Sequence, residues 1–253
     1  MRVRVLGIDT ATSIASVALV EDGESIAEEL HEPRRTKIAG ETVQLGGNHA
    51  EFLLPSIQLL LDKTNTTLST VSGIAVTIGP GSFTGLRIGL ATVKGLAYGC
   101  GIPVVGVSTL QAHAARVRRF SGLICPLLDA RKNEVYVALF RRVGDDLSRL
   151  TDDAVLSVRT IVELLQKYAS GHSESAMLVG DGAIAYKAEL TKSFGAAVAI
   201  SDGTEYGSIA AHAALIAEQR FRCRLVDDIG ALEPIYLRLP EAQSKLKLPT
   251  LTS

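Results

Sequence analysis

The sequence has few of the residues that build disulfide frameworks or zinc sites. It contains no tryptophan, and its three cysteines, Cys100, Cys125 and Cys223, are an odd number at wide spacing and form no Cys-x-x-Cys pair. Disulfide-rich and zinc-binding domains depend on paired or closely spaced cysteines, so the pattern argues against both classes. We interpret the three cysteines as small buried apolar residues.

A strong charge bias and a long apolar run are also missing. The 26 lysine and arginine residues are balanced by 27 aspartate and glutamate residues, which leaves a net charge of −1. No global basic field therefore favours nucleic acid or an anionic membrane surface. Arg87 and Lys94 interrupt the longest apolar tracts, and Arg2, Arg4 and Asp9 lie where a signal peptide needs an unbroken apolar core. We expect a soluble cytoplasmic protein without a membrane segment.

The familiar motifs of metal-dependent and nucleophilic enzymes are absent as well. No two of the five histidines have the i, i+4 spacing that places two metal ligands on one helix face. The sequence has no His-Glu-x-x-His, no Gly-x-Ser-x-Gly and no phosphate loop with Gly-Lys-Ser/Thr. We therefore predict no catalytic residue, no metal site and no bound cofactor.

What the chain does contain is an alternation of strand and helix patterns. Its 253 residues, 47% of them hydrophobic, suffice for one large or two small domains. The first half predicts three strands and a polar loop, followed by alternating helices and strands. The predicted ranges are strands 3–9, 15–20 and 24–30, loop 31–47, helix 48–63, strand 74–78, helix 83–99, strand 103–107 and helix 109–119.

The same order begins again in the second half. Asp129 ends a strand pattern as Asp9 does, and Gly180-Asp181-Gly182 follows a strand as Gly79-Pro80-Gly81 does. A duplicated ribonuclease-H-like βββαβα unit is typical of the two-lobed actin, sugar-kinase and Hsp70 superfamily; a chance likeness of two hairpins is the alternative. We predict an α/β fold with a last helix able to cross back, and with lobes at 1–118 and 119–239 and a loose tail at 240–253.

The segment from Gly79 to Arg87 is the most distinctive in the chain. Its glycines permit positive φ and close backbone approach, and Ser82 or Thr84 can cap the helix that follows. Free amides at a helix start suit a phosphate or carboxylate, so we predict an anion or nucleotide contact at Asp9, Ser82, Thr84 and Arg87. The alternative is a tight strand-to-helix turn. For Asp9 itself we favour turn capping over metal–phosphate binding.

Apolar side chains beyond those that one sheet needs indicate a partner surface. The helix over 48–63 can face its own sheet with one stripe, namely Leu53, Leu54, Ile57, Leu60 and Leu61. Phe52 and Leu59 lie on another face of that helix, and Gly85 and Gly89 let a second helix approach the helix over 83–99. We predict a partner interface at these four residues; close packing within the same lobe is the alternative.

At these residues the sequence resembles the TsaB (YeaZ) family over nearly the whole chain. The likeness is carried by Gly7-Ile8-Asp9-Thr10-Ala11, His49-Ala50-Glu51, Gly79 to Leu90, Asp129-Ala130-Arg131 and Pro234-Ile235-Tyr236-Leu237-Arg238. The resemblance implies the dimerization subunit of the bacterial tRNA N6-threonylcarbamoyladenosine synthase. In that complex, the catalytic subunit TsaD transfers a threonylcarbamoyl group to N6 of adenosine 37 in tRNAs decoding ANN codons.

The family also implies partners. TsaD is expected to bind through the two helices of the amino-terminal lobe, and the ATPase subunit TsaE is expected to join the complex. The chain is expected to contact tRNA only indirectly, through the complex. Whether the chain forms a homodimer when alone stays open. The alternatives for function are a free-standing ATP-dependent phosphotransferase or ATPase of the same fold, a metallopeptidase, and a protein that binds tRNA by itself.

A comparison with the catalytic subunit implies that this chain is not the enzyme. The catalytic subunit binds its metal with an Asn-His-x-x-x-His motif after the equivalent strand, where this chain reads Ser108-Thr109-Leu110-Gln111-Ala112-His113. Thr109 occupies one of the two histidine positions, so at most one ligand remains. The resemblance thus implies a non-catalytic scaffold that binds and activates TsaD.

Overall fold

The computed structural model describes residues 2–22, 36–43, 49–169, 175–194, 198–203 and 207–238. Its first lobe is built on a five-stranded sheet. The elements of this lobe are β1 (Arg4–Asp9), β2 (Ala15–Asp22), β3 (Thr36–Val43), α1 (His49–Lys63), a short 3-10 helix (Leu68–Thr70), β4 (Gly73–Gly79), α2 (Phe83–Cys100), β5 (Val104–Ser108) and α3 (Thr109–Arg116). Among the described residues, no helix combines the length and hydrophobicity that a membrane crossing needs.

The second lobe follows with a seven-stranded sheet. Its elements are β6 (Gly122–Asp129), β7 (Glu134–Val137), β8 (Phe140–Val143), β9 (Asp146–Arg149), β10 (Ala154–Ser157), α4 (Val158–Tyr168), β11 (Ala176–Val179), α5 (Asp181–Ala185), α6 (Lys187–Phe194) and β12 (Val198–Ser201). A last helix, α7 (Ile209–Arg222), ends the regular structure of the described chain.

The strand order of the first sheet recurs within the second. The first sheet has the order β3-β2-β1-β4-β5, and the second contains the order β10-β7-β6-β11-β12, with two more strands, of which β8 pairs with β6 and β9 pairs with β8. In each lobe the first strand pairs antiparallel with the second and parallel with the strand that follows the first helix. Gly79, the last residue of β4, and Gly180, directly after β11, both have a φ of 120°. The predicted duplicated α/β fold is confirmed.

The third strand lies later in the chain than predicted. The predicted strand at 24–30 falls outside the described residues, whereas β3 occupies a part of the predicted loop at 31–47. β3 pairs antiparallel with β2, with Ile38 opposite Val20. The loop prediction is therefore wrong for this stretch. An edge strand is held by main-chain hydrogen bonds and tolerates polar residues such as Lys37 and Glu41, so polarity alone did not distinguish it from a loop.

Helices cover both faces of the first sheet. On one face, Leu53 of α1 and Val93 of α2 belong to the same apolar core as Leu6 of β1. The other face is covered by α7, which follows the second lobe in sequence but packs on β1, β2, β4 and β5. The approach is so close that a β-carbon on Gly7 would lie 2.1 Å from the Ala210 carbonyl oxygen. The last helix of the described residues thus completes the first lobe.

The three cysteines differ in their environment. Cys125 is buried in the second sheet, whereas Cys100 and Cys223 are exposed. The prediction that all three are buried is wrong for these two. Both lie at helix carboxyl ends, where neighbouring residues such as Gly101 and Arg224 are exposed as well.

Two glycines of α2 are buried against the turn that follows β1. The Thr10 hydroxyl donates a hydrogen bond of 2.8 Å to the Gly85 carbonyl oxygen. A β-carbon on Gly89 would lie 2.3 Å from the Thr10 Oγ1. Both glycines are buried, which places them inside the lobe and corrects their assignment to a partner interface. Close packing within the lobe, the alternative interpretation, is what they serve.

Helix α3 turns three polar side chains toward the interior. Thr109, His113 and Arg116 are all buried. Arg116 donates hydrogen bonds to the main-chain oxygens of Asp202 at 2.7 Å and Gly207 at 3.4 Å. Within the described chain, by contrast, neither ring nitrogen of His113 has a hydrogen-bond partner. Burial, and then the positive charge of Arg116, hold the pKa of His113 well below its usual range, so the native imidazole is neutral.

We expect His113 to make the folded state less stable as the pH falls. Below about pH 6.5 the unfolded chain takes up a proton at this residue and the folded chain does not. The free energy of unfolding then decreases, with a contribution from His113 of at most about 1.4 kcal/mol per pH unit. In His113→Leu this part of the pH dependence should vanish. Urea unfolding between about pH 7 and pH 5 measures it, and an unchanged pH dependence would contradict a buried, neutral histidine.

A second prediction concerns the contact between Gly89 and Thr10. By helix propensity alone, Gly89→Ala would stabilise the protein by about 1 kcal/mol. Because the new β-carbon would overlap the Thr10 hydroxyl, we instead expect a loss of about 1–3 kcal/mol in the free energy of unfolding. Thr10→Ala in the same chain should relieve that loss.

The control for this experiment lies on the same helix. A β-carbon on Gly95 has no atom within 4 Å, so Gly95→Ala should be neutral or stabilising. The comparison requires denaturant unfolding of the two single variants, their double variant with Thr10→Ala and the Gly95 control. Strictly additive effects of Gly89→Ala and Thr10→Ala would show that the two residues do not constrain each other.

Candidate functional site

Asp9 ends β1 and is only 1% exposed. Its Oδ1 accepts hydrogen bonds from the Thr77 hydroxyl at 2.6 Å and from the Ala11 amide at 3.2 Å. These bonds tie the end of β1 to β4 and to the turn that follows β1. The carboxylate therefore performs the turn-capping role that the sequence favoured for it.

The turn after β4 fits closely against the turn after β1. The Ser82 amide donates a hydrogen bond of 2.7 Å to the Ala11 carbonyl oxygen, and a β-carbon on Gly81 would lie 2.4 Å from that same oxygen. Ser82 also caps α2, because its hydroxyl oxygen accepts a hydrogen bond from the Gly85 amide at 3.2 Å. The glycine-rich segment is thus a tight strand-to-helix turn, as the alternative interpretation had it.

Arg87 is engaged with aromatic side chains on the surface of α2. Its Nε donates a hydrogen bond of 2.9 Å to the Tyr236 hydroxyl, and its guanidinium carbon lies 3.8 Å from the centre of the Phe83 ring. Thr84, in the first turn of the same helix, is exposed. The anion contact at Asp9, Ser82, Thr84 and Arg87 stays a prediction, since three of these side chains already have protein partners.

The equivalent end of the second sheet brings two carboxylates together. Asp129 Oδ1 accepts hydrogen bonds from the Arg131 amide at 2.8 Å and the Tyr186 hydroxyl at 3.0 Å. The Asp129 amide in turn donates to Asp181 Oδ1 at 3.2 Å. Burial raises the pKa of Asp181; amide hydrogen bonds from Asp129 and Gly182 oppose this rise, and the charge of Asp129 adds to it.

The donor set for a metal is sparse in the part of the chain that the structure describes. No group of three or more His, Cys, Asp or Glu side chains is arranged there to hold a metal ion. Thr109 and His113, which the resemblance aligns with the catalytic subunit's metal-binding motif, are both buried. The positive charge of Arg116 contributes to the lowered pKa of His113. A positive charge beside the imidazole disfavours a cation there.

The outward side of α1 and α2, which we call the α1–α2 face, is open. Leu54 is 52% exposed, Leu59 is 43% exposed, and Tyr98 of α2 is 65% exposed. Nothing lies within 4 Å of a β-carbon on Gly95 or Gly99. An outward surface on the two helices could be predicted from Leu59, but Tyr98 and the two later glycines gave no signal that separated them from core positions.

Two sequence assignments change at this face. Leu54 was assigned to the stripe that covers the sheet, but it is exposed, while Leu53 and Ile57 are buried. The side chain of Phe52 lies outside the described part of the chain, so its place in a partner interface stays a prediction. Leu59 is exposed as an interface residue must be, and its role stays a prediction too.

Comparison with known proteins covers nearly the whole chain. A family model described as TsaD, tRNA N6-adenosine threonylcarbamoyltransferase, matches residues 44–245. The tRNA threonylcarbamoyladenosine biosynthesis protein TsaB of Escherichia coli is 34% identical over 246 residues, which cover 96% of this chain and 98% of that protein. The protein of the same name from Bacillus subtilis is 28% identical over 241 residues, or 95% of this chain and 96% of the relative.

Solved structures agree with these relatives. YeaZ from Pseudomonas aeruginosa superposes with a TM-score of 0.72 at 27% identity, over 93% of this chain and 100% of that chain. A second structure from that organism, described as similar to peptidase YEAZ, gives a TM-score of 0.73 at 28% identity with the same coverage. The resemblance noted in the sequence is confirmed, and the chain belongs to the TsaB (YeaZ) family, whose named relatives are tRNA threonylcarbamoyladenosine biosynthesis proteins.

Proposed function

We propose that this chain is a non-catalytic subunit in the biosynthesis of tRNA threonylcarbamoyladenosine. It binds the catalytic subunit TsaD through the α1–α2 face and thereby supports threonylcarbamoyl transfer to N6 of adenosine 37 in tRNAs decoding ANN codons. The ATPase subunit TsaE joins the same complex, and tRNA is contacted through the complex. The observation that carries the proposal is the open apolar surface of α1 and α2 in a chain whose relatives are named for this pathway.

The composition of the face supports a protein partner. Leu54, Leu59 and Tyr98 leave apolar area in water, although both helices already cover the sheet with their other sides. Exposed leucine and tyrosine side chains are typical of a protein–protein interface rather than of an ordinary solvated helix. Gly95 and Gly99, with open space above them, allow a partner helix to approach at short interaxial distance.

The interior of the first lobe supports a non-catalytic role. Asp9 uses its carboxylate to hold Thr77 and the Ala11 amide, which is a structural task. His113 is neutral and buried beside the charge of Arg116. A transferase site would need exposed groups that orient substrate and stabilise charge in the transition state. The residues at the equivalent positions of this chain are instead packed into the core.

The partner surface can be tested with two substitutions that the monomer should tolerate. Leu59→Asp places a charge on the face, and Gly95→Leu fills the space that a partner helix would occupy. We expect each to weaken binding to TsaD by about 2 kcal/mol or more, as for an interface hot spot. Isothermal titration calorimetry and size-exclusion chromatography measure the association.

The control for partner binding is Val143→Asp, a similar change at a residue of the second lobe that is 67% exposed. It should leave the affinity for TsaD unchanged. Thermal unfolding of all three variants checks that the fold is intact. Wild-type affinity in both Leu59→Asp and Gly95→Leu would remove the α1–α2 face as the binding surface.

The roles of the subunits can be tested by reconstituting the modified adenosine from TsaD, TsaE, tRNA and added threonylcarbamoyl adenylate, which donates the transferred group and releases AMP. We expect product only when this chain is present, and none from this chain alone. Asp9→Asn keeps the oxygen that accepts from Thr77 and Ala11 but removes the charge that a metal–phosphate site would need, so it should retain activity. A loss of about 100-fold or more in Asp9→Asn would instead assign chemistry to this chain.

A further inference from the structure

We propose that Tyr236 and Arg238 are positioning residues that hold the second lobe in one orientation relative to α2. They belong to residues 225–238, which we call the strap. The strap follows α7, runs along the first lobe and ends on the second. The importance of this for tRNA modification rests on the proposed function, but the clamp itself is a property of the isolated chain.

The strap is first fixed at the edge of the first sheet. The Asp227 amide donates a hydrogen bond of 2.9 Å to the Val104 carbonyl oxygen of β5. The Gly106 amide donates to Asp227 Oδ2 at 2.8 Å, and Arg220 of α7 pairs with Asp227 Oδ1 at 2.7 Å. Leu232 then enters the apolar core beneath α2. This part of the strap therefore belongs firmly to the first lobe.

The middle of the strap contacts the start of α2. The Ile235 amide donates a hydrogen bond of 2.7 Å to the Ile78 carbonyl oxygen at the end of β4. The Tyr236 ring lies 4.8 Å from the Phe83 ring, measured between centroids, and the Tyr236 hydroxyl accepts from Arg87 Nε. The planes of the two rings are tilted by 36°, and the Arg87 guanidinium lies over the Phe83 ring; such contacts depend on orientation. Tyr236 thus fixes the direction in which the strap leaves the first lobe.

The end of the strap reaches the second lobe through Arg238. Its Nη1 donates a hydrogen bond of 2.5 Å to the Ala130 carbonyl oxygen, and its Nη2 forms an ion pair with the Glu134 carboxylate. Ala130 and Glu134 are the two ends of the turn between β6 and β7, closed by a hydrogen bond from the Ala130 amide to the Glu134 carbonyl oxygen. A guanidinium fork can hold both ends at once, which a lysine cannot do with the same geometry.

The turn that Arg238 holds is conformationally costly. Its residues Arg131, Lys132 and Asn133 have φ values of 61°, 56° and 58°, and left-handed conformations are unfavourable for residues other than glycine. Such a turn persists when its surroundings determine it. Arg238 belongs to those surroundings, and the strap that carries it is fixed to the first lobe. The conformation of the β6–β7 turn is therefore linked to the orientation of the second lobe relative to the first.

A second polar link between the lobes limits the motion that remains. Ser108, at the end of β5, donates to Asp153 Oδ2 at 3.0 Å, and Arg149 binds both the Asp153 carboxylate at 2.6 Å and the Ser108 hydroxyl at 3.1 Å. Helix α3 also joins the lobes, because Leu110 and Ala114 share an apolar core with Phe140 of β8 and Arg116 donates to the Asp202 main-chain oxygen. Arg238 adds a contact at the β6–β7 turn, and it thereby opposes the hinge motion that two-lobed folds can undergo.

The clamp can be tested by pulsed electron paramagnetic resonance, which measures the distance between two spin labels, one in each lobe. One label is attached to the exposed Cys100 at the end of α2, and the other to Lys192→Cys on the exposed surface of α6, in a chain with Cys223→Ser. Cys125 should not react, because it is buried and burial raises the pKa of its thiol to about 12. We expect a single narrow distance distribution in this parent chain.

Charge reversal then separates positioning from simple stability. In Arg238→Glu we expect the single narrow maximum to be lost, because Glu134 now faces a like charge. Adding Glu134→Arg should restore it, an outcome that a general loss of stability would not give. If Arg238→Glu does not fold, Arg238→Gln replaces it and should broaden the distribution. An unchanged distribution in the variant measured, or no recovery in the folded double variant, overturns the proposal.

The same variants connect the clamp to the complex. We expect Arg238→Glu to retain affinity for TsaD, since the α1–α2 face is intact, but to support less product in the reconstitution assay, with recovery in the charge-reversed pair. The distance measurement uses no partner, so it stands or fails independently of the proposed function. If Leu59→Asp and Gly95→Leu left TsaD binding unchanged, only the predicted effect of Arg238→Glu on the complex would be affected.

Discussion

The close fit between α2 and the turn after β1 is the contact on which the first lobe depends. It requires glycine at positions 81 and 89, where a β-carbon would overlap Ala11 and Thr10, and it is fastened by the hydrogen bond from Thr10 to the Gly85 carbonyl oxygen. Because one side of α2 is fixed in this way, Gly95, Gly99 and Tyr98 must turn outward. Its first turns must likewise present Phe83 and Arg87 to the strap. Helix α2 thus contributes to the apolar core, to the proposed partner surface and to the contacts that fix the strap.

The two lobes share a strand order but differ in the helix that follows the equivalent glycine-rich turn. The close glycine contacts recur: a β-carbon on Gly81 would meet main-chain atoms of Ala11 in the turn after β1, and one on Gly182 would meet main-chain atoms of Leu128 and Asp129 at the end of β6. The long helix does not recur: α2 has 18 residues, and α5 at the equivalent position has 5. A long helix with an outward surface at this position is therefore found in the first lobe and not in the second, within the described residues. The second lobe contributes its β6–β7 turn, which is where the strap ends.

Local sequence patterns predicted the elements well where they are periodic and buried. The glycine-rich turn, α2 and the strand ending in Asp9 were all found, because their spacing is fixed by short-range geometry. The sequence did not show that Gly85 and Gly89 are buried while Gly95 and Gly99 are exposed. A row of small residues on a helix is the same pattern whether the helix packs within its own lobe or against a partner. β3 was missed because an edge strand needs no apolar alternation. The strap has no period at all, and its contacts join residues more than 100 positions apart.

The placement of α7 has a consequence for how the chain folds as it is synthesised. Gly7 and Ala210 are in direct contact, so one face of the first sheet lacks the cover of α7 until residues 209–222 have left the ribosome. Contacts of such long sequence separation form late and slowly, and an uncovered apolar sheet is prone to association with other chains. The second lobe has its own apolar core, supplied by residues 123–200. The first lobe is therefore synthesised first, but its sheet receives the cover of α7 only after the second lobe has been made.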